Sequence, residues 1–164
     1  MITYATEAHL FITDMNQSPF NVGTRLTLED FIPDEVADLN QRYGSPLRDA
    51  SERSRFFDWV GGQPYLTHRG IQVMAGQGLT LASLEADTDR EMGIFRDHLR
   101  RMLLSLQQDP ELHEAVRQVL RGQPCPTAES FYRLRTAGVL AGEAARDARL
   151  RCRLYAAYLE RHLL

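Results

Sequence analysis

Arginine is the side chain this sequence offers most generously to chemistry: nineteen residues, with no lysine beside them. A phosphate-loop ATPase needs a G-x-x-x-x-G-K-[ST] segment whose ammonium reaches the terminal phosphates. No residue here can take that role, and lysine Schiff bases, pyridoxal-phosphate catalysis and lysine general bases are excluded with it. Guanidinium groups can still neutralise phosphates. Arg133, Arg135, Arg149, Arg151 and Arg153 gather within a short stretch, as the phosphate contacts of a DNA-binding surface would. Yet Arg151 and Arg153 alternate with Leu150, Cys152 and Leu154, which is equally the pattern of a half-exposed strand.

Other chemistries find less support. Asp87, Asp89 and Glu91 start like a calcium loop, but Met92 stands where such a loop needs Gly and His98 where it needs Glu. His9, His68, His113 and His162 lack zinc-ligand spacing, and His98 lies on an apolar face as a core histidine would. Carboxylate pairs at Glu29-Asp30 and Asp34-Glu35 suit a helix approach, where they stabilise the dipole. No G-x-S-x-G elbow is present. The expectation is a chain without metal, without a cofactor of its own and without catalytic residues.

The elements that would carry these residues are mostly helical. Of the 164 residues, 43% are hydrophobic and 25% charged, an ordinary globular composition. The net charge of -3 divides unevenly: residues 1–95 carry 7 Arg against 14 Asp and Glu, residues 96–164 carry 12 against 8. Such a split suggests units with different surfaces. Ile2–Thr6 and Thr24–Leu28 read as short strands without a nearby hairpin partner. Pro33 then opens a helix with Val36, Leu39 and Tyr43 on its apolar side, although Ile32 is a poor cap. A second helix, Ser51–Val60, buries Phe56, Trp59 and Val60 and stops at Gly61-Gly62. Pro64 begins a third, ended by the glycines at 76 and 78, and Thr80 caps a short fourth; residues 85–91 read as a solvated hinge.

Beyond the hinge, Phe95, Leu99, Met102, Leu103 and Leu106 line one helix face. Asp109-Pro110 opens the next helix and Gly122 closes it; Pro126-Thr127 opens another that Gly138 stops. A strand at Val139–Ala141, a turn-rich segment, a second strand over residues 150–154 and a closing helix bearing Tyr155, Tyr158, Leu159 and Leu163 complete the chain. Three helices followed by a hairpin is the order of a winged helix-turn-helix. Cys125 and Cys152 lack C-x-x-C spacing and read as reduced core thiols. With no signal-peptide pattern and no long apolar run, the chain is expected to be cytoplasmic.

Three stretches together resemble one family, the AAA-like domain of bacterial STAND signalling ATPases. They are Ser18–Phe31 with Arg42–Gly44, the segment Val60–Leu66, and Phe95–Leu106 with Cys152–Leu163. The resemblance implies a mainly α fold in three parts: residues 1–29 as the remnant of a truncated α/β nucleotide-binding core, 30–90 as a helical lid, and 91–164 as a winged helix. It implies that Thr6 ends a core strand as a sensor residue. Gly62, Gln63 and Pro64 would correspond to the Gly-x-Pro motif, whose proline packs near adenine; the family usually places His where Gln63 stands. Without a ligand, the same three residues are simply a helix stop, a turn and a helix start.

The functional expectation follows from both readings. The chain is the non-catalytic lid and winged helix of a STAND ATPase, relaying nucleotide state or docking a partner. ATP and magnesium belong to the complete family domain, and Thr6, Gly62, Gln63 and Pro64 would meet nucleotide only with a core supplied. Expected partners are that core, another protein module, or a second copy joined through the N-terminal strand; no membrane is expected. A DNA-binding winged helix using the five arginines is the alternative.

Overall fold

Proline and glycine punctuate this chain, and the helices begin and end where they stand. The computed structural model describes residues 29–87 and 93–164. The strands expected at Ile2–Thr6 and Thr24–Leu28, Thr6 itself, and Asp89 and Glu91 lie outside the described residues. Within them are eight α-helices and one two-stranded sheet, a mainly helical architecture. The chain divides into two units, each with its own core.

The first unit contains the described residues through Leu99, together with Cys152–Leu154. Its helices are α1 (Pro33–Arg42), α2 (Ala50–Val60), α3 (Pro64–Gln77) and α4 (Leu81–Asp87). Pro33 is a first-turn residue of α1 and Arg42 a last-turn cation, both suited to their ends. Ile32 has no side chain with which to cap. Glu35 compensates: its Oε2 accepts from the Ile32 N–H at 3.0 Å, one half of a capping box. Asp49 caps α2 by accepting from Glu52 N, and Thr80 Oγ1 accepts from Ser83 N at the start of α4. Gly76 stays inside α3, and Gly78, at φ +65°, ends it.

Helix α1 packs on α2 and α3, α2 on α3, and α3 on α4. Val36, Leu47, Phe56, Val60, Leu66, Ile71, Met74, Leu81 and Leu84 form the shared core. Burying side chains of this size stabilises the unit by roughly 1.5–3 kcal/mol each. Gly70 lets α2 and α3 approach, since a Cβ there would meet the Phe56 ring at 2.9 Å. Two expectations need correction. Trp59, expected in the core, is only half-buried. The expected hinge begins as helix: α4 runs through Asp87, and Glu85 is held in an ion pair by Arg55 of α2.

The second unit contains Arg100–Arg151 and Tyr155–Leu164. It holds most of α5 (Arg96–Gln107), α6 (Pro110–Leu120), α7 (Ala128–Thr136), β1 (Leu140–Ala141), β2 (Arg149–Leu150) and most of α8 (Arg153–Leu163). Asp109 caps α6 by accepting from Glu111 N and Leu112 N, both at 3.1 Å. Thr127 caps α7 through Ser130 N at 3.0 Å. Helix α6 packs on α7 and β2, and α7 on β1. Met102, Leu106, Leu112, Val116, Phe131, Leu134, Leu140 and Leu159 are buried.

The strands pair antiparallel, Leu140 with Leu150 and Ala141 with Arg149. This shortens the strand expected over residues 150–154. Arg151 N still donates to Val139 O at 3.0 Å, but the next step back reaches Gly138, at φ +76°, and the end of α7. No strand remains to pair with, so the chain bends at Arg151-Cys152 and enters α8.

Candidate functional site

The turn joining α2 to α3 is tightly constrained. Helix α2 ends at Gly61, φ +65°, whose N–H donates to Phe57 O at 2.7 Å. Gly62 follows at φ +68°, so two consecutive left-handed residues reverse the chain. The Gly62 carbonyl accepts from Phe31 N at 2.8 Å. A Cβ on Gly62 would lie 2.2 Å from the Phe31 carbonyl oxygen, so only glycine permits this approach. The bond ties the entry to α1 to the start of α3.

Gln63 is 7% exposed and caps α3. Its Oε1 accepts from Leu66 N at 2.6 Å, and its own carbonyl accepts from Thr67 N at 2.8 Å. Pro64 takes the first helical position, where a missing N–H costs nothing, and is half-buried. The structure therefore brings Gly62, Gln63 and Pro64 into one rigid turn in which the Gln63 amide oxygen is committed to capping. Next to it, Tyr65 is 43% exposed and stacks on the buried ring of His98, centroids 5.0 Å apart. The burial of His98 agrees with a core histidine.

The five arginines stand on different elements of the fold. Arg133 on α7 is half-buried and pairs with the α6 cap, its guanidinium 2.5 Å from Asp109 Oδ2. Arg135 is exposed in the last turn of α7, and Arg149 is exposed on β2. Arg151 is half-buried at the bend and engaged through side chain or backbone contacts. Arg153 stands exposed at the first position of α8, on a helix rather than on a strand of the hairpin.

Electrostatics in the second unit centre on Asp109. Burial pushes its carboxyl upward, but the Leu112 N–H, the Arg133 guanidinium and the Glu111 N–H outweigh burial and hold it below the usual carboxylate range. Burial pushes the Cys125 thiol up, opposed by a backbone hydrogen bond at Thr127, which leaves it a poor nucleophile. Both cysteines are buried and neither is in a disulfide. Among the described residues, no group of three or more His, Cys, Asp or Glu could hold a metal ion. Among them, too, no helix is long and apolar enough to cross a membrane.

Three features escaped the sequence reading. Buried Asn40 folds the α1–α2 loop around itself: its Nδ2 donates to Leu47 O at 3.0 Å and its Oδ1 accepts from Leu47 N at 2.9 Å. Tyr43 and His68 meet through Oη and Nε2 at 2.9 Å. Thr67 Oγ1, fully buried one turn into α3, has no hydrogen-bond partner. Single polar residues leave no periodic trace, so only the register of Asn40 within an apolar stripe (four after Val36) hinted at the first.

Neither the curated proteins nor the solved structures supplied a match. The sequence as a whole is more informative: all but the last three residues, the α2–α3 turn included, lie inside a span, residues 1–161, that matches the AAA-like domain, and the chain belongs to that family.

Proposed function

We propose that this chain is the lid (residues 30–90) and winged helix (91–164) of a STAND-type ATPase, a non-catalytic module that relays nucleotide state or docks a protein partner. The observation that carries the reading is the Gly62-Gln63-Pro64 turn. Two left-handed glycines, a buried cap and a first-turn proline present the Pro64 ring on a fixed support. A rigid proline edge suits contact with the face of a base. It does nothing for a triphosphate, and no lysine is available for one. Phosphates and magnesium would have to be held by an ATPase core, with Thr6 as its contribution from this chain.

In this reading nucleotide fixes the lid against the core and repositions the winged helix, a two-state switch. The helix order of the second unit, three helices then a hairpin, supports the winged-helix assignment. The protein would act in the cytoplasm, with a core or another protein module as partner and the segment Ile2–Thr6, read from sequence as a strand, as a pairing edge. Isothermal titration of the isolated chain with ATP tests the proposal. No binding at micromolar concentration is expected, and micromolar affinity without a core would overturn it.

The DNA-binding reading retains one specific support, the exposure of Arg135 and Arg149. It predicts a gel shift that weakens with salt, by a slope near -0.9 per phosphate contacted, and that Arg135→Ala with Arg149→Ala abolishes. The pairing of Arg133 with Asp109 and the displacement of Arg153 onto α8 favour the protein-docking reading.

A further inference from the structure

Two aromatic contacts of unequal exposure grip the entrance of α5. Leu99 N donates to Phe95 O at 2.9 Å, so Phe95 already belongs to the first helical turn. Its ring is 2% exposed and meets Trp59 of α2 edge-on at 5.8 Å. A Cβ on Gly70 of α3 would lie 3.5 Å from the same ring. His98, three residues on and therefore on the same side of the helix, is covered by Tyr65 of α3, with the ring planes 34° apart. The first grip is sealed in the core. The second stands partly in solvent, one residue beyond Pro64.

We propose that the Tyr65–His98 stack is a positioning contact that couples the Gly62-Gln63-Pro64 turn to α5. The proposal rests on the reading of that turn as nucleotide-facing and names the joint through which its state leaves it. Tyr65 lies between Gln63 and Leu66, the residues joined by the cap, so whatever braces or loosens the turn moves the ring with it. A braced turn presses Tyr65 on His98 and fixes the start of α5; a loose turn releases it, with buried Phe95 as the pivot. Helix α5 runs unbroken from Arg96 to Gln107 and contains no proline or glycine at which to kink, so a tilt at its first turn is carried along it. A ring pair contributes only modestly beyond its burial, which puts the grip within reach of one hydrogen bond made or lost at the turn.

Amide hydrogen exchange of the full chain, read by NMR without nucleotide, tests this. Tyr65→Ala, at an exposed position, should speed exchange over Leu99–Leu103 by about three- to tenfold. The Ile71–Met74 amides of α3 and the emission of Trp59 should stay as in the wild type. Tyr65→Phe keeps the ring and should exchange like the wild type. Gln63→Ala removes the cap and should speed the same α5 amides, and adding Tyr65→Ala to it should bring no further increase, because both act through one contact. Three results would overturn the coupling: α5 amides indifferent to Tyr65→Ala, acceleration shared equally by Ile71–Met74, or independent effects that multiply in the double variant. Since no nucleotide enters, such a failure leaves the reading of the turn in place, whereas ATP binding by the isolated chain overturns that reading and leaves the exchange result standing.

Discussion

Gly62, Gly44 and Gly76 should answer differently to the same added methyl group. At Gly62 the φ is left-handed and the methyl collides with the Phe31 carbonyl, so Gly62→Ala should cost about 3 kcal/mol or more. Gly44, at φ +80° with open space around it, carries only the conformational cost of about 1–2 kcal/mol. Gly76 is helical and unobstructed, and Gly76→Ala should stabilise by about 0.5–1 kcal/mol. Urea midpoints at constant slope give the ranking. Asp109 makes a second case, this time in pH. Its carboxyl is lowered in the fold, so its contribution is complete above the unfolded value of about 3.9 and vanishes as pH falls through the folded one. Asp109→Ala should cost about 1 kcal/mol at neutral pH through the lost cap. The gap from wild type should close in melts below about pH 4.

Helix boundaries were the part of the fold most open to sequence reading, because each is enforced by a residue with special backbone chemistry. Pro33, Gly61, Pro64, Gly78, Asp109, Gly122, Thr127 and Gly138 act as expected. What failed was the alternating stretch Leu150–Leu154. Period-two patterning describes a strand only while a neighbour can pair with it, and β1 offers two residues. Periodicity has no access to the partner's length. The same blindness hid Asn40, whose value lies in a loop seven residues away. Asn40→Ala leaves the Leu47 N–H and carbonyl unsatisfied in the interior and should cost about 1–3 kcal/mol, with faster exchange of the Leu47 amide as the specific sign. Moving Arg153 from a presumed strand to a helix start also reverses its effect. A cation there opposes the dipole, so Arg153→Glu should raise the melting temperature, by an amount equivalent to about 0.3–1 kcal/mol.

At the scale of the whole chain, family and class were legible because they rest on segments spread along the sequence in order, and the AAA-like match over residues 1–161 agrees. The candidate site was legible as a motif and not as a mechanism. Glycine and proline announced the α2–α3 turn, whereas its bond to Phe31 and the burial of Gln63 depend on the packing of α1. Each unit has its own buried aromatic centre, Phe56 in one and Phe131 in the other, and neither ring is exposed. Truncating either to alanine should cost about 3–5 kcal/mol.

Trp59 lies edge-on to Phe56 and Phe95, at 6.4 and 5.8 Å between centroids, and the sequence contains no second indole. Excitation at the red edge of aromatic absorption therefore lights a single lamp, wired to the first unit alone. Its emission should shift in step with ellipticity when Phe56 is truncated and lag behind it when Phe131 is, so that an unlabelled sample reports which half of the molecule has loosened.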